Sequence, residues 1–447
     1  MDDTAERLLG LAFTDAYPAS FLAALTDVEN RMGGHPGERR AAGIVADALD
    51  QSVGGAREEP FDIRRWTRGA TDLAAGPATG RTRQFDAVAL PYSPPADLRA
   101  PLVDAGYGTP AELDDVDVSG GIVLAEQGGE GDRHAHRMEK FGHAAAAGAE
   151  AFVLVNDTEG SLPVTGTLRF GDEAAIPGIG VSYETGERLR RYAADGGEAT
   201  LRVDARTEDG TARNVVATNP GAGEREGTVL VVAHYDAHDV GEGALDNGCG
   251  ATILVETARL LADVDLPSDV TFAAVSCEET GLLGSHALAD ELDVGDLRAV
   301  VNVDGAGRAR NLKAYTHGSE AVESLARDVG VAADHPVAIE TRPHPYSDHW
   351  PFLRAGVPSL QLHSRPADDH QQWGPRGKPV VHTRADTFDK VEVRDVREHA
   401  GLTALLVREL ARRERPPRLD TAVLAEQLRE ADAEHGMRAA GVWPEGW

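Results

Sequence analysis

The chain has 447 residues, and its 74 acidic and 44 basic side chains give a net charge of −30. Such a charge repels nucleic acid and anionic lipid, so neither is expected as a partner. No apolar run approaches the ~20 residues that a membrane helix needs, and the acidic start lacks the basic region of a signal peptide. We therefore expect a soluble, cytoplasmic globular protein of about two domains.

The acidic residues occur in every segment of the chain, while lysine occurs only four times. A single-sign charge of this size opposes compaction unless salt screens it, so the composition predicts the acidic surface of a halophilic protein. An ordinary acidic cytosolic protein is the alternative. Only Cys249 and Cys277 are present, which argues against a disulfide framework and predicts two small buried side chains.

The first segments along the chain favour helices. Apolar spacing in "SFLAALTDVENRM" and in "GERRAAGIVADALDQSVGG" predicts two helices within residues 1–50. Residues 60–92 are extended and rich in turns. Farther on, "SGGIVLAEQGG" predicts a buried strand, "HRMEKFGHAAAAGAEAFVLVND" a helix and a strand, and "AAIPGIGVSYETGERLRRYAADGG" a turn, a strand and a helix.

This succession resembles the protease-associated (PA) domain. The segments that carry the resemblance are "DVSGGIVLAEQGGEG", "AAAAGAEAFVLVND" and "IPGIGVSYETGERL". The resemblance covers residues 90–205. It implies a small β-rich insertion that covers a peptidase site and carries no catalytic residue of its own.

After residue 205, strand-like and helical segments alternate. The apolar runs in "TARNVVATNPG", "GTVLVVAHYDAHDVG", "SDVTFAAVSCEETG" and "RAVVNVDGAG" each end in polar or glycine residues, and "CGATILVETARLLADV" between them is helical. This alternation predicts an α/β sheet that is covered on both faces. In such sheets the functional site lies at the carboxyl ends of the strands.

Six polar side chains fall at those strand ends: His234, Asp236, Asp246, Glu278, Glu279 and Asp304. Several converging carboxylates repel one another unless a cation lies among them. An imidazole with carboxylate oxygens suits zinc, with cobalt or manganese as substitutes. Neighbours on a strand point to opposite faces, so the adjacent Glu278 and Glu279 predict two separate roles.

A pair of metal ions would need a second histidine from farther along the chain. The candidates are His344, His349, His363, His370 and His382. His382 is preferred, because a strand-like run ends on it in "VVHTRADTFDKV" and Asp386 lies close enough in sequence to orient its ring.

The ordered set "AHYDAHDVGEGALDNGCG", "SCEETGLLGS", "VNVDGAG", "YSDHWPF" and "HTRADTFDKV" resembles the co-catalytic zinc aminopeptidases, relatives of glutamate carboxypeptidase and the transferrin receptor. The family implies a three-layer α/β/α sandwich with a mixed central sheet and two zinc ions. By this resemblance His234 and Asp304 bind one zinc ion, Glu279 and His382 bind the other, and Asp246 bridges both. Glu278 is then the general base for a metal-bridging water that attacks the peptide carbonyl.

Two further residues support these roles. Asp236 lies two residues from His234, and thus on the same side of an extended chain, where it can hold the other imidazole nitrogen. Several relatives place a tyrosine before the last histidine ligand to stabilise the oxyanion. Val381 stands at that position here, and Tyr346 is the predicted substitute.

The resemblance implies an exopeptidase that removes N-terminal residues from peptide substrates. A carboxypeptidase or a glutaminyl cyclase on the same scaffold stays open, and the complete ligand set argues against a receptor-like binding protein. The predicted domains are 1–89 and 206–412 for the peptidase, 90–205 for the PA insertion and 413–447 for a helical tail. The tail packs either on its own domain or on a neighbouring copy, which leaves a homodimer open.

Overall fold

The computed structural model describes residues 2–129, 135–366 and 380–447. The chain forms two compact units, each built from several segments. The first unit comprises Met1–Asp62, Thr211–Val381 and Asp386–Gln427, and the second comprises Ile63–Gly210, His382–Ala385 and Leu428–Trp447. The domain boundaries drawn from the sequence stay predictions.

The secondary structure of the described residues is as follows in chain order. The helices are α1 (Asp3–Thr14), α2 (Tyr17–Thr26), α3 (Pro36–Val53), α4 (Pro110–Asp114), α5 (Arg137–Ala146), α6 (Tyr183–Ala194), α7 (Cys249–Leu261), α8 (Leu283–Glu291), α9 (Glu320–Ala332), α10 (Trp350–Leu353), α11 (Val393–Arg412), α12 (Thr421–Glu430) and α13 (Ala433–Ala440). The strands are β1 (Arg57–Gly76), β2 (Arg83–Phe85), β3 (Val88–Ala89), β4 (Ala96–Asp104), β5 (Ile122–Glu126), β6 (Ala151–Val155), β7 (Gly178–Val181), β8 (Glu198–Asn219), β9 (Thr228–His234), β10 (Val270–Val275), β11 (Leu297–Val303), β12 (Asn311–Tyr315), β13 (Ala338–Glu340) and β14 (Ser359–Arg365). A π-helical turn (Ala244–Gly248) precedes α7, and a 3₁₀ turn (Phe388–Lys390) precedes α11. In this described part of the chain, no single helix is both long and apolar enough to span a membrane, and α1 with α2 meets those conditions only as a bent pair.

The first unit is a three-layer α/β/α sandwich with a mixed sheet, which confirms the predicted fold class. Its strand order is β13-β12-β14-β11-β9-β10-β8, in which β9, β10, β11 and β14 are parallel, while β12 and β8 run antiparallel to β14 and β10. Val229 and Val231 of β9 belong to a core shared with helices α1, α2, α3, α7, α9 and α11. Leu230 and Val232 point to the other face and share a core with α8 and α10.

The second unit contains a smaller sheet. Strands β4, β5, β6 and β7 are parallel, β3 is antiparallel to β7, and residues 198–203 of β8 are antiparallel to β4. In its core the rings of Phe141 from α5 and Phe152 from β6 meet edge to face, with centroids 5.8 Å apart. The order β5, α5, β6, β7, α6 confirms the succession of strands and helices predicted for the PA-like segment.

The end of the C-terminal tail packs within the second unit. Helix α13 contacts α5, and the ring of His435 stacks on His143 with centroids 4.8 Å apart. At Gly142 the two helices are so close that an added Cβ would lie 2.3 Å from the carbonyl oxygen of Ala439. The tail therefore has a partner surface within its own chain, and the oligomeric state stays a prediction.

Two local predictions are wrong, and one is confirmed. Three helices, not two, precede β1, because Asp2 accepts a hydrogen bond from the backbone of Ala5 and caps the additional helix α1. Val380 and Val381, which precede His382, do not form a strand. Val381 and His382 lie in a turn, and the φ of 58° at His382 is left-handed. Cys249 and Cys277 are buried free thiols, as predicted.

Candidate active site

Three parallel strands bring predicted site residues to one edge of the sheet in the first unit. Val275 at the end of β10 pairs with His234 at the end of β9, and Asn302 of β11 pairs with Val232. Asp304 follows Asn302 by two residues and so lies level with His234. Because the carboxyl ends of parallel strands meet at one edge, the residues that follow these strands converge there.

His234, Asp246 and Asp304 form the centre of the site. Nε2 of His234 lies 3.5 Å from Oδ1 of Asp246 and 3.9 Å from Oδ1 of Asp304. This nitrogen is buried, and it makes no hydrogen bond with a described residue. An imidazole nitrogen facing two carboxylate oxygens is a donor set that suits a divalent cation such as zinc.

Glu278 adds a third carboxylate to this group. One of its oxygen atoms lies within 4.8 Å of the ligand atoms of His234 and Asp304. Burial, together with the carboxylates of Asp304 and Asp348, raises the pKa of Glu278 well above its usual value. Burial also raises the pKa of Asp348. The strand ends therefore bring several carboxyl groups close together, and in the metal-free chain the ionised forms of Glu278 and Asp348 are disfavoured.

Asp236 connects β9 with the pair Glu278 and Glu279. Its Oδ1 lies 3.4 Å from Nδ1 of His234. Its two oxygens accept the backbone N–H groups of Glu278 at 3.2 Å and of Glu279 at 3.4 Å. The glutamates lie in a turn beyond β10, where Cys277 has a φ of 61°, and not on the strand itself. Their separation therefore comes from this turn, which corrects the argument from strand alternation.

Asp246 lies on the π-helical turn before α7, and two distant side chains hold that turn. The carboxylate of Asp386 accepts two of its backbone N–H groups, at 2.7 and 3.0 Å. The buried guanidinium of Arg31 donates to the carbonyl oxygen of Gly243 at 3.1 Å. The sequence suggested Asp386 only as a partner for His382, which stays a prediction, and it gave Arg31 no role.

His238 is a site residue that the sequence analysis missed. Its Nε2 lies 2.9 Å from Oε2 of Glu279, and both side chains are buried. His238 follows His234 by four residues in "AHYDAHDVG", so the spacing of the two histidines was a signal in the sequence. The contact gives Glu279 a nitrogen neighbour with which it can share a metal ion.

His382 belongs to the segment that groups with the second unit. Within that unit its Nδ1 lies 3.2 Å from the carbonyl oxygen of Thr165, and its own carbonyl accepts the N–H of Thr165 at 2.8 Å. Its role as a metal ligand stays a prediction. The ring of Tyr346 lies edge to face with His344, with centroids 6.1 Å apart, and its role at the oxyanion likewise stays a prediction.

The other candidate histidines make contacts of their own with the protein. His349 lies between Asn302, at 3.2 Å, and the carbonyl oxygen of His344, at 2.8 Å. Burial lowers the pKa of His349 to about 3, so its ring is neutral at physiological pH. Nδ1 of His363 lies 2.7 Å from the carbonyl oxygen of the next residue. His370 lies outside the described residues.

Comparison with known families gives two matches within the chain. The model of peptidase family M28 matches residues 214–407. The PA domain model matches residues 98–189. The M28 range includes His234, Asp246 and Asp304. The PA range includes the elements from β5 to α6, except for the end of α6.

Similarity to individual proteins extends over most of the chain. The probable leucine aminopeptidase 2 of Arthroderma benhamiae is 30% identical over 375 residues, which covers 78% of this chain and 69% of the relative. Aminopeptidase YwaD of Bacillus subtilis is 27% identical over 425 residues, which covers 91% of this chain and 87% of the relative.

Solved structures show the same similarity. The aminopeptidase from Aneurinibacillus sp. strain AM-1 matches with a TM-score of 0.68 at 25% identity and covers 91% of this chain and 96% of its own. BSAP, a zinc aminopeptidase from Bacillus subtilis, matches with a TM-score of 0.67 at 26% identity. The match covers 90% of this chain and 97% of the BSAP chain. Similarity of this extent, over most of both chains, shows that this protein belongs to peptidase family M28.

Proposed function

We propose that the protein is a metal-dependent aminopeptidase that removes the N-terminal residue from peptides. The proposed ligands of two divalent ions, with zinc as the first choice, are His234, Asp304, Asp246, Glu279 and His382. His238 offers a further nitrogen beside Glu279. The relatives and solved structures described above are named as aminopeptidases, which supports this reaction.

The observation that carries the proposal is the buried Nε2 of His234, which faces the carboxylates of Asp246 and Asp304. A divalent ion held by this imidazole nitrogen and the two carboxylates would offset the repulsion between those carboxylates. Asp236 supports the same arrangement, because a carboxylate at the other ring nitrogen directs Nε2 toward the metal position.

Glu278 is the proposed general base. Two divalent ions, when bound, would polarise the peptide carbonyl and make the attacking water more acidic. Glu278 takes a proton from that water and returns it to the amine nitrogen of the departing peptide. The hydrogen bond from the backbone of Glu278 to Asp236 keeps this residue in position.

Two buried arginines near the site bear on the choice between an aminopeptidase and a carboxypeptidase. The buried arginines nearby, Arg31 and Arg308, donate to oxygen atoms of the protein itself. Because both already have partners within the protein, neither is set to receive the C-terminal carboxylate of a substrate, which favours an aminopeptidase over a carboxypeptidase.

Chromogenic aminoacyl anilides, compared with the same compounds carrying an acetylated amine, test the proposal. We expect hydrolysis only of the free-amine substrates, its loss on treatment with a chelator, and its recovery with zinc or cobalt. Release of C-terminal residues from acetylated peptides would instead identify a carboxypeptidase. Cyclisation of N-terminal glutamine would identify a glutaminyl cyclase. Elemental analysis showing fewer than two ions per chain after metal addition would contradict the paired site.

A further inference from the structure

Arg308 is a buried cation in direct contact with two proposed metal ligands. Its side chain is 10% exposed. The guanidinium Nη2 donates to Oδ1 of Asp246 at 2.6 Å and to Oδ1 of Asp304 at 3.2 Å. The Nε atom donates to the carbonyl oxygen of Leu245 at 2.9 Å. A single side chain therefore joins both carboxylates and the turn that carries Asp246.

The oxygen atoms that Arg308 contacts are also the ones that face His234. Nε2 of His234 lies 3.5 and 3.9 Å from the same two Oδ1 atoms. An ion bound by His234 together with Asp246 and Asp304 would be coordinated by these same oxygen atoms. The guanidinium and the ion would thus share the negative charge of the same carboxylates.

The charge of Arg308 has opposite effects with and without metal. An arginine side chain stays protonated throughout the physiological range. In the metal-free chain it offsets the repulsion between the carboxylates of Asp246 and Asp304. Toward a divalent ion its charge is repulsive, and at this depth such an interaction is screened much less than in water.

We propose that Arg308 is a fixed counter-ion of the metal centre, which stabilises the Asp246–Asp304 pair in the metal-free chain and weakens binding of the ion at His234. This inference rests on the metal ligands of the proposed function. Its consequence is a moderated affinity, so that the ion at His234 exchanges more readily than its ligands alone would allow.

The alternative is that Arg308 only fixes the turn through the carbonyl oxygen of Leu245. Arg308→Gln removes the charge and keeps a hydrogen-bond donor, while Arg308→Lys keeps the charge and loses the planar fork. Arg298→Met is the matched control. Arg298 is a buried arginine on β11 that donates to the carbonyl oxygens of Glu226 and Arg413, both at 2.7 Å.

Zinc affinity is measured by competition with a chromophoric chelator, and thermal melting is followed before and after zinc is added to the metal-free protein. For Arg308→Gln we expect zinc to bind about tenfold tighter or more, a change of ~1.4 kcal/mol. We also expect a lower melting temperature without metal. Arg308→Lys should stay within about threefold of the wild-type affinity. Arg298→Met should lower the melting temperature without changing zinc affinity.

Unchanged or weaker zinc binding by Arg308→Gln would overturn the inference. A lysine variant that binds zinc as the glutamine variant does would also overturn it, because charge would then not be the cause. If the glutamine variant does not fold even with zinc, the lysine variant decides, and a change of about tenfold in its affinity contradicts the inference.

Asp304→Asn separates this inference from the proposed function. If that variant keeps both ions, the ligand assignment itself fails. If it loses an ion while Arg308→Gln leaves zinc affinity unchanged, only the role of Arg308 fails.

Discussion

The carboxylate of Asp236 organises three groups of the site at once. It lies beside Nδ1 of His234 and accepts the backbone N–H groups of Glu278 and Glu279. Because Asp236 is fully buried, these contacts are shielded from water, and their geometry is well defined. With the backbone of both glutamates fixed, their side chains can take different tasks.

Glu278→Gln should lower turnover while the metal content stays unchanged. The amide is nearly isosteric with the carboxylate, so binding of substrate is retained, but it cannot accept the proton. General acid–base catalysis contributes about 10²–10⁴-fold, and we expect a fall of that size in kcat. Steady-state kinetics and elemental analysis on the same preparation measure both quantities.

Glu279→Gln is the matched control for this experiment, since it makes the same chemical change one residue along the chain. It should weaken metal binding, and excess zinc should restore part of the activity. If Glu278→Gln lost an ion while Glu279→Gln kept both, the two glutamates would have exchanged the roles assigned to them.

The residue types at the strand ends could be predicted because each follows an apolar run, and the ends of parallel strands meet. His234 and Asp304 converge for that reason. The contacts of Asp386 and Arg308 with Asp246 could not be predicted. They join positions 140 and 62 residues apart, and only the tertiary fold determines which distant side chain reaches the turn.

At the scale of elements, periodicity predicted the strands of both units but not the conformations that depend on single backbone angles. The buried strands β9, β10 and β11 are mainly apolar, which is the pattern of a sheet covered on both faces. Val380 and Val381 before His382 are also apolar, yet they are not part of a strand, and the left-handed φ at His382 ends an extended conformation there.

Gly142→Ala should destabilise the packing of α13 on α5. The added Cβ would lie 2.3 Å from the carbonyl oxygen of Ala439, and this backbone atom can move away only if the helix shifts. Overpacking of this kind costs about 1–3 kcal/mol. Thermal melting of the full chain, with limited proteolysis of the tail, measures the effect.

Gly43→Ala in α3 is the control, since a Cβ at Gly43 would meet nothing within 4 Å. In a helix interior this change should be neutral or stabilising by about 0.5–1 kcal/mol. Equal melting temperatures for the two variants would show that the contact between α13 and α5 does not contribute to the stability of the second unit.

At the scale of the whole molecule, the net charge of −30 sets a condition for stability. Exposed ion pairs such as Arg99 with Glu198 contribute little, because water and salt screen them. Most of the repulsion among the acidic side chains must therefore be screened by dissolved ions. We propose that the protein works in a cytoplasm of high ionic strength, where this repulsion is screened.

Salt should therefore raise both the melting temperature and the activity. The screening length falls from ~30 Å at ~0.01 M salt to ~3 Å at ~1 M, so repulsion between distant acids is largely removed over that range. A gain of ~1 kcal/mol raises the melting temperature by about 2–4 °C for domains of this size. Sodium and potassium chloride at equal ionic strength should act alike, because screening depends on ionic strength. A melting temperature that does not change between these limits would refute the halophilic setting and leave the peptidase proposal intact.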